Sequence, residues 1–106
     1  MLETQSVKND QEKPPWHLLP WGALEEIVRV LDFGAKKYRD RNWENPGLAW
    51  HRPFRAAIAH LQAWFRGETM DPESGLNHLA HAAANCLFLL EYARTHPEMD
   101  DRPRPG

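Results

Sequence analysis

Residues 67–92 read GETMDPESGLNHLAHAAANCLFLLEY, and this stretch constrains the fold more than any other. At about 100° per residue, Ser74, His78, His81 and Asn85 fall within roughly 60° of one another on a helix. Leu76, Leu79, Ala83, Leu87 and Leu90 fall on the opposite side. The pattern predicts a helix from about 72 to 94, with an apolar side and a line of imidazoles closed by an amide. Asp71-Pro72-Glu73 reads as its start: a capping carboxylate, a first-turn proline and an acid favoured by the helix dipole.

Two further stretches carry helical spacing. From about 22 to 38, Leu24, Ile27, Val28, Leu31, Ala35 and Tyr38 form an apolar stripe, with Gly34 weakening its last turn. After Pro53, Phe54, Ala57, Ile58, Leu61, Trp64 and Phe65 mark the buried side of a helix that Gly67 stops. Between these two lies RDRNWENPGLAWHRP, residues 39–53, an irregular loop of a length that is usually functional or covered by a partner. No strand alternation and no internal repeat occurs. The expected fold is all-α: three main helices, the last two an antiparallel hairpin, completed as a bundle by oligomerisation. Residues 14–94 form the single domain, flanked by a polar tail over 1–13 and a proline-containing tail over 95–106, both expected to be flexible.

A chain of 106 residues buries only a modest core, so partner subunits are expected to contribute. A net charge of −2 lacks the basic face that binding to DNA or RNA polymers requires. No apolar run is long enough for a membrane span, and the first residues lack a signal-peptide pattern. The single cysteine, Cys86, excludes an intrachain disulfide and suits a reducing cytoplasm. Five tryptophans are mostly accounted for by core and subunit packing, though indole also stacks on nucleobases.

The hairpin concentrates the chemistry. His60 lies seven residues before Gly67 and His78 seven after Asp71, so antiparallel packing sets His60 level with His78 and His81. Imidazoles with carboxylates suit zinc, manganese, iron or nickel. Each histidine taken singly serves equally as an interhelical hydrogen-bonding residue. Glu68 and Asp71 have the spacing of a carboxylate pair able to hold magnesium with its phosphates, while capping would claim Asp71 for the helix. Glu25 and Glu26 are a second acidic pair, weaker as metal ligands because Glu25 can pair with Arg29 one turn on. Lys36, Lys37, Arg39 and Arg41 gather positive charge at the end of the first helix, where the dipole also favours it. Lys37 and Arg41 suit the phosphates of a nucleotide, with Tyr38, Asn42 and Trp43 beside its base. Arg52 and Arg55 can add phosphate contacts.

Taken together, GAKKY, RNW, GE-x-x-D-x-ESG and HLAHAAAN resemble the N-terminal domain of viral dATP/dGTP diphosphohydrolases, over about Lys13 to Tyr92. The resemblance implies hydrolysis of purine deoxynucleoside triphosphates to monophosphate and pyrophosphate, remodelling a viral nucleotide pool in the host cytoplasm. The wider relatives are the MazG-like all-α pyrophosphohydrolases, oligomers that use Mg²⁺ or Mn²⁺ held by E-x-x-E on one helix and E-x-x-D on the next. Glu68-x-x-Asp71 matches the second pair. The first is not kept, since Val28 and Arg29 stand three residues after Glu25 and Glu26. The expected division of labour gives Glu68, Asp71 and His78 to the metal. His60 and His81 are further ligands or proton carriers, and Asn85 orients a water or a histidine. Two other readings fit the residues: a nucleotide-sequestering protein without catalysis, and a helical oligomerisation module.

Overall fold

The computed structural model describes residues 13–104 and is helical, with α1 at Trp21–Lys37, α2 at His51–Phe65 and α3 at His78–Thr95. Short 3₁₀ turns at Trp16–Leu18 and Pro97–Met99 flank them. Residues 1–12, most of the expected N-terminal tail, lie outside the described residues. Gly34 leaves α1 intact to Lys37. Pro53 sits in the first turn of α2, where no earlier carbonyl needs its missing N–H.

α2 and α3 run antiparallel. His60 stacks on His81 at 4.5 Å between ring centroids near one end of the hairpin, and the Trp50 indole donates to the His96 carbonyl at the other (3.1 Å). α1 lies across α3. Val30 packs on Ala80 and Ala84, with Ile27, Leu31, Leu76 and Phe88 around them. The two alanines let the helix axes approach, so this junction uses small residues on α3 rather than its leucines.

Two expectations about α3 are corrected. The helix begins at His78, not near residue 72, and its cap is Asn77, whose side chain accepts from the Leu79 N–H (2.8 Å). Residues 71–77 instead form a turn. Asp71 donates its backbone N–H to the Leu76 carbonyl and accepts that of Gly75 (both 2.7 Å). Gly75 carries φ +72°, a left-handed conformation that glycine adopts without strain and that a helix cannot contain. The Asp71 carboxylate accepts from the Ser74 N–H three residues on (2.9 Å), a capping-type bond that here closes the turn and opens no helix. The second correction concerns burial. Leu79, Leu87 and Leu90 are exposed in the single chain, as are Phe54, Ile58, Leu61, Trp64 and Phe65 on α2. The buried residues of α3 are His78, Ala80, Ala82, Ala84 and Tyr92.

The long loop is tied to α3 through its aromatic residues. Trp43 stacks on Phe88 at 4.6 Å, and the fully buried Tyr92 donates its hydroxyl to the Trp43 carbonyl. Gly47 has φ +90°, and a Cβ there would stand 2.6 Å from the His96 ring. Residues 96–104 also pack on the domain: the Trp50 N–H donates to the Met99 carbonyl, Asp101 accepts from the His51 N–H, and Asp100 pairs with Arg102 and Arg104. Tyr92→Phe deletes the hydroxyl that satisfies the Trp43 carbonyl. It should cost about 1 kcal/mol and lower the melting temperature by about 4–8 °C, as read by calorimetry or circular dichroism.

Candidate functional site

The histidines of the hairpin form one connected chain at its closed end. Glu68, just past α2, accepts from His78 Nε2 at 2.7 Å. An ionised carboxylate only accepts, so His78 carries its proton on Nε2 and presents a lone pair on Nδ1. That Nδ1 lies 2.8 Å from Nδ1 of His60. His60 in turn stacks nearly parallel on His81, with 11° between ring planes, and His81 Nε2 meets the Ser74 hydroxyl at 2.7 Å. Asp71 stands 3.9 Å from His81 Nε2. Asn85 donates to the His81 carbonyl one turn back (2.9 Å), and Phe33 of α1 meets the His81 ring edge-on.

Three donor groups converge: one ligand atom from each of His60, Asp71 and His78 lies within 4.8 Å of the other two. His78 is buried, and His60 and Asp71 are half-buried. The electrostatics favour the neutral ring at His60 and His81. Burial lowers the pKa of His60, helped by the neighbouring His81 and His78, against the pull of Asp71. Burial also lowers that of His81, outweighing Asp71. Burial alone would raise Asp71, but hydrogen bonds from Ser74, with His81 and His60 nearby, hold its carboxyl below the usual range. Neutral imidazoles beside an ionised carboxylate are the protonation states that a cation requires.

The cluster opens into a groove of about 830 Å³ between the α1 end of the domain and the hairpin. His60, Asp71, His81 and Asn85 line one side, and Lys37, Tyr38, Arg41, Asn42 and Trp43 line the other. The two halves of the candidate site, separate in sequence, therefore share one concavity. Lys37 bridges to Glu73, and that contact raises its pKa. Its ammonium also lies 5.4 Å from the Tyr38 ring centroid. Arg41 pairs with Glu44 and takes φ +52°. Trp43 stacks on Phe88, meets the Tyr92 ring at 5.9 Å and lines the groove.

Other assignments fall differently. Glu68 engages the outer nitrogen of His78 and so orients a histidine, rather than joining Asp71 in the three-donor group. Glu25 pairs with Arg29 on the exposed side of α1, and neither Glu25 nor Glu26 lines the groove or joins the donor group. Ser74 meets His81 from the turn, not from a shared helix, so its place in the polar line arises differently from the helical spacing. Sequence reasoning gave Glu73 no ligand role, yet it lines the groove and holds Lys37. The ESG turn was the signal available for it.

Residues 3–102 match the family described as dATP/dGTP diphosphohydrolase, N-terminal. The chain is 36% identical over 96 residues to a dATP/dGTP diphosphohydrolase of Salmonella phage PMBT28. The aligned region is 91% of this chain and 32% of the relative, so the chain spans about a third of that protein's length. No solved structure matches it significantly. Among the described residues, no helix is long and apolar enough to cross a membrane.

Proposed function

Because the chain belongs to the dATP/dGTP diphosphohydrolase N-terminal family, we propose that its groove binds a purine deoxynucleoside triphosphate and cuts it to monophosphate and pyrophosphate. The observation that supports this most is the convergence of His60, Asp71 and the buried His78, the first two at the wall of a groove whose other wall carries Lys37 and Arg41. Phosphoanhydride hydrolysis asks for charge neutralisation at the phosphates and an aligned water.

A divalent cation fits the donor set. Two imidazole nitrogens and one carboxylate suit Mn²⁺ or another transition ion better than Mg²⁺, which prefers oxygen throughout. His60, Asp71 and His78 would hold it, and it would supply positive charge against the phosphate oxygens. The chain's own groups do the rest. Glu68 fixes the tautomer of His78 by accepting a hydrogen bond from its Nε2–H. His81, hydrogen-bonded to Ser74 and half-buried, can accept a proton from a water directed at the phosphate. Lys37 and Arg41 hold the outer phosphates once they exchange Glu73 and Glu44 for the ligand. The groove-lining indole of Trp43 and the amide of Asn42 receive the base.

The test is incubation of the purified chain with each deoxynucleoside triphosphate and Mn²⁺ or Mg²⁺, separating nucleotides by chromatography and assaying pyrophosphate. dATP and dGTP should give monophosphate and pyrophosphate, and a chelator should stop the reaction. Nucleotide-dependent thermal stabilisation without product would assign the groove to sequestration instead. No stabilisation by any nucleotide would remove both readings.

A further inference from the structure

The groove has a direction, and Asn85 stands midway along it. At one end Phe33 meets the His81 ring at 6.3 Å. The Lys37 ammonium lies 5.9 Å from the Phe33 centroid and bridges to Glu73 at the same end. At the other end Trp43 stacks on Phe88 at 4.6 Å. His81, Asn85 and Phe88 are spaced four and three residues apart on α3, so they share one face, and all three line the groove. Along the helix axis Asn85 is about 6 Å from His81 and about 4.5 Å from Phe88. Charged and imidazole groups thus occupy one end, aromatic faces the other, and an amide the middle.

That amide has a fixed orientation. Its Nδ2 donates to the His81 carbonyl (2.9 Å), and a carbonyl only accepts, so nitrogen and oxygen cannot be exchanged. Oδ1 makes no hydrogen bond among the described residues. The residue is half-buried, yet no buried side-chain polar atom among the described residues lacks a partner. Oδ1 is therefore an accessible acceptor on a groove-lining residue. Asparagine is also a weaker helix former than Ala82, Ala83 and Ala84 just before it, and α3 carries it mid-helix all the same.

We infer that Asn85 reads the sugar of the nucleotide, with Oδ1 accepting from the 3′-hydroxyl. This rests on the nucleotide reading of the groove given above. With the phosphates at Lys37 and His81 and the base at Trp43, the sugar that joins them falls against Asn85. A purine deoxynucleotide has few donors. Those of the base lie on its outer edge, and the 3′-hydroxyl is the donor between base and phosphates. A 3′-oxygen that is esterified, as at the 5′ end of a polymer, has no proton to give. The groove is accordingly built for free nucleotides with an open 3′ position.

The test compares dATP with 2′,3′-dideoxy-ATP, which differ only in the 3′-hydroxyl. The full chain is assayed with Mn²⁺ for pyrophosphate release, and kcat/KM is measured for the wild type and for Asn85→Ala. The wild type should favour dATP by about three- to tenfold, the worth of one neutral hydrogen bond. Asn85→Ala should lose that preference: dATP falls by the same factor, while dideoxy-ATP stays within about twofold of its wild-type value. Alanine suits the helix, so the far-ultraviolet signal should be kept. If Asn85 only braces the His81 carbonyl, both substrates fall together and the preference survives in the variant. That result, or an active wild type indifferent to the 3′-hydroxyl, overturns the inference and leaves the hydrolysis reading standing. If the wild type binds without cutting, dissociation constants from calorimetry should show the same pattern, and its absence overturns the inference equally. A wild type that neither cuts nor binds dATP overturns the nucleotide reading, and this assignment with it.

Discussion

His78→Ala should lower the rate of pyrophosphate release from dATP or dGTP by a factor on the order of 10²–10⁴. The side chain is 4% exposed and bonded at both nitrogens, to Glu68 and to His60. Alanine removes one of the three converging donors and frees His60 and Glu68 from their positions. It also leaves a buried polar gap, at a cost of about 1–3 kcal/mol, so folding must be followed alongside activity. His78→Gln keeps a polar group of similar reach without an imidazole. A folded His78→Gln protein that no longer releases pyrophosphate, and no longer gains melting temperature on adding Mn²⁺, assigns the loss to the donor rather than to unfolding. Wild-type turnover in either variant would remove the histidines from the reaction.

The residues that meet in the cluster were legible because they are counted from one landmark. Gly67 ends the second helix, and the chain turns back after Asp71, so His60 and His78 had to come level whatever the details between them. The course of residues 71–77 was harder to read. Asp71 and Asn77 are both good caps, and what decides between them is the left-handed Gly75, a conformation that spacing does not reveal. Exchanging helix for turn still left Ser74 against His81, because the turn folds back over the first turn of α3.

Burial was legible only in part, for a different reason. Periodicity says which residues share a face; it does not say what covers the face. Leu79, Leu90 and Phe54 form consistent stripes, but α1 docks on the alanine side of α3, where Ala80 and Ala84 permit close approach. Alanine carries little weight in an apolar count and large leverage in helix packing. The leucine stripes therefore stay exposed in the single chain, which is too short to bury every apolar face by itself. Likewise, Glu68 and Asp71 look equivalent in sequence. Only the position of His78, one nitrogen toward Glu68 and the other toward His60, separates the carboxylate that orients a histidine from the one that joins the three-donor group.

The same neutral imidazoles make the protein sensitive to mild acid. His60 and His81 both have pKa values below the ordinary 6.5, each chiefly because burial disfavours the charged ring. The unfolded chain titrates first. Above about pH 6.5 the rings are neutral in both states, and their contribution to stability is fully present. As the pH falls below 6.5 the unfolded state binds protons that the folded cluster refuses, and stability declines until the folded pKa values are passed. Each ring contributes at most about 1.4 kcal/mol per pH unit in that window, and partial exposure holds the effect below this ceiling. Asp71 acts lower: its depressed pKa adds stability above the usual carboxylate range, lost only as the pH falls through its folded value. Melting temperature measured with a chelator from pH 8 to 5 should thus be level at first and fall below about 6.5. The fall should be shallower in His60→Asn, which removes one titrating ring and the repulsion it exerts on its neighbours. Divalent cation binding should weaken over the same window, because protons compete for the same nitrogens. A melting temperature that stays level across it would mean the folded rings take up protons as readily as the unfolded chain, and burial would then not be holding His60 and His81 neutral.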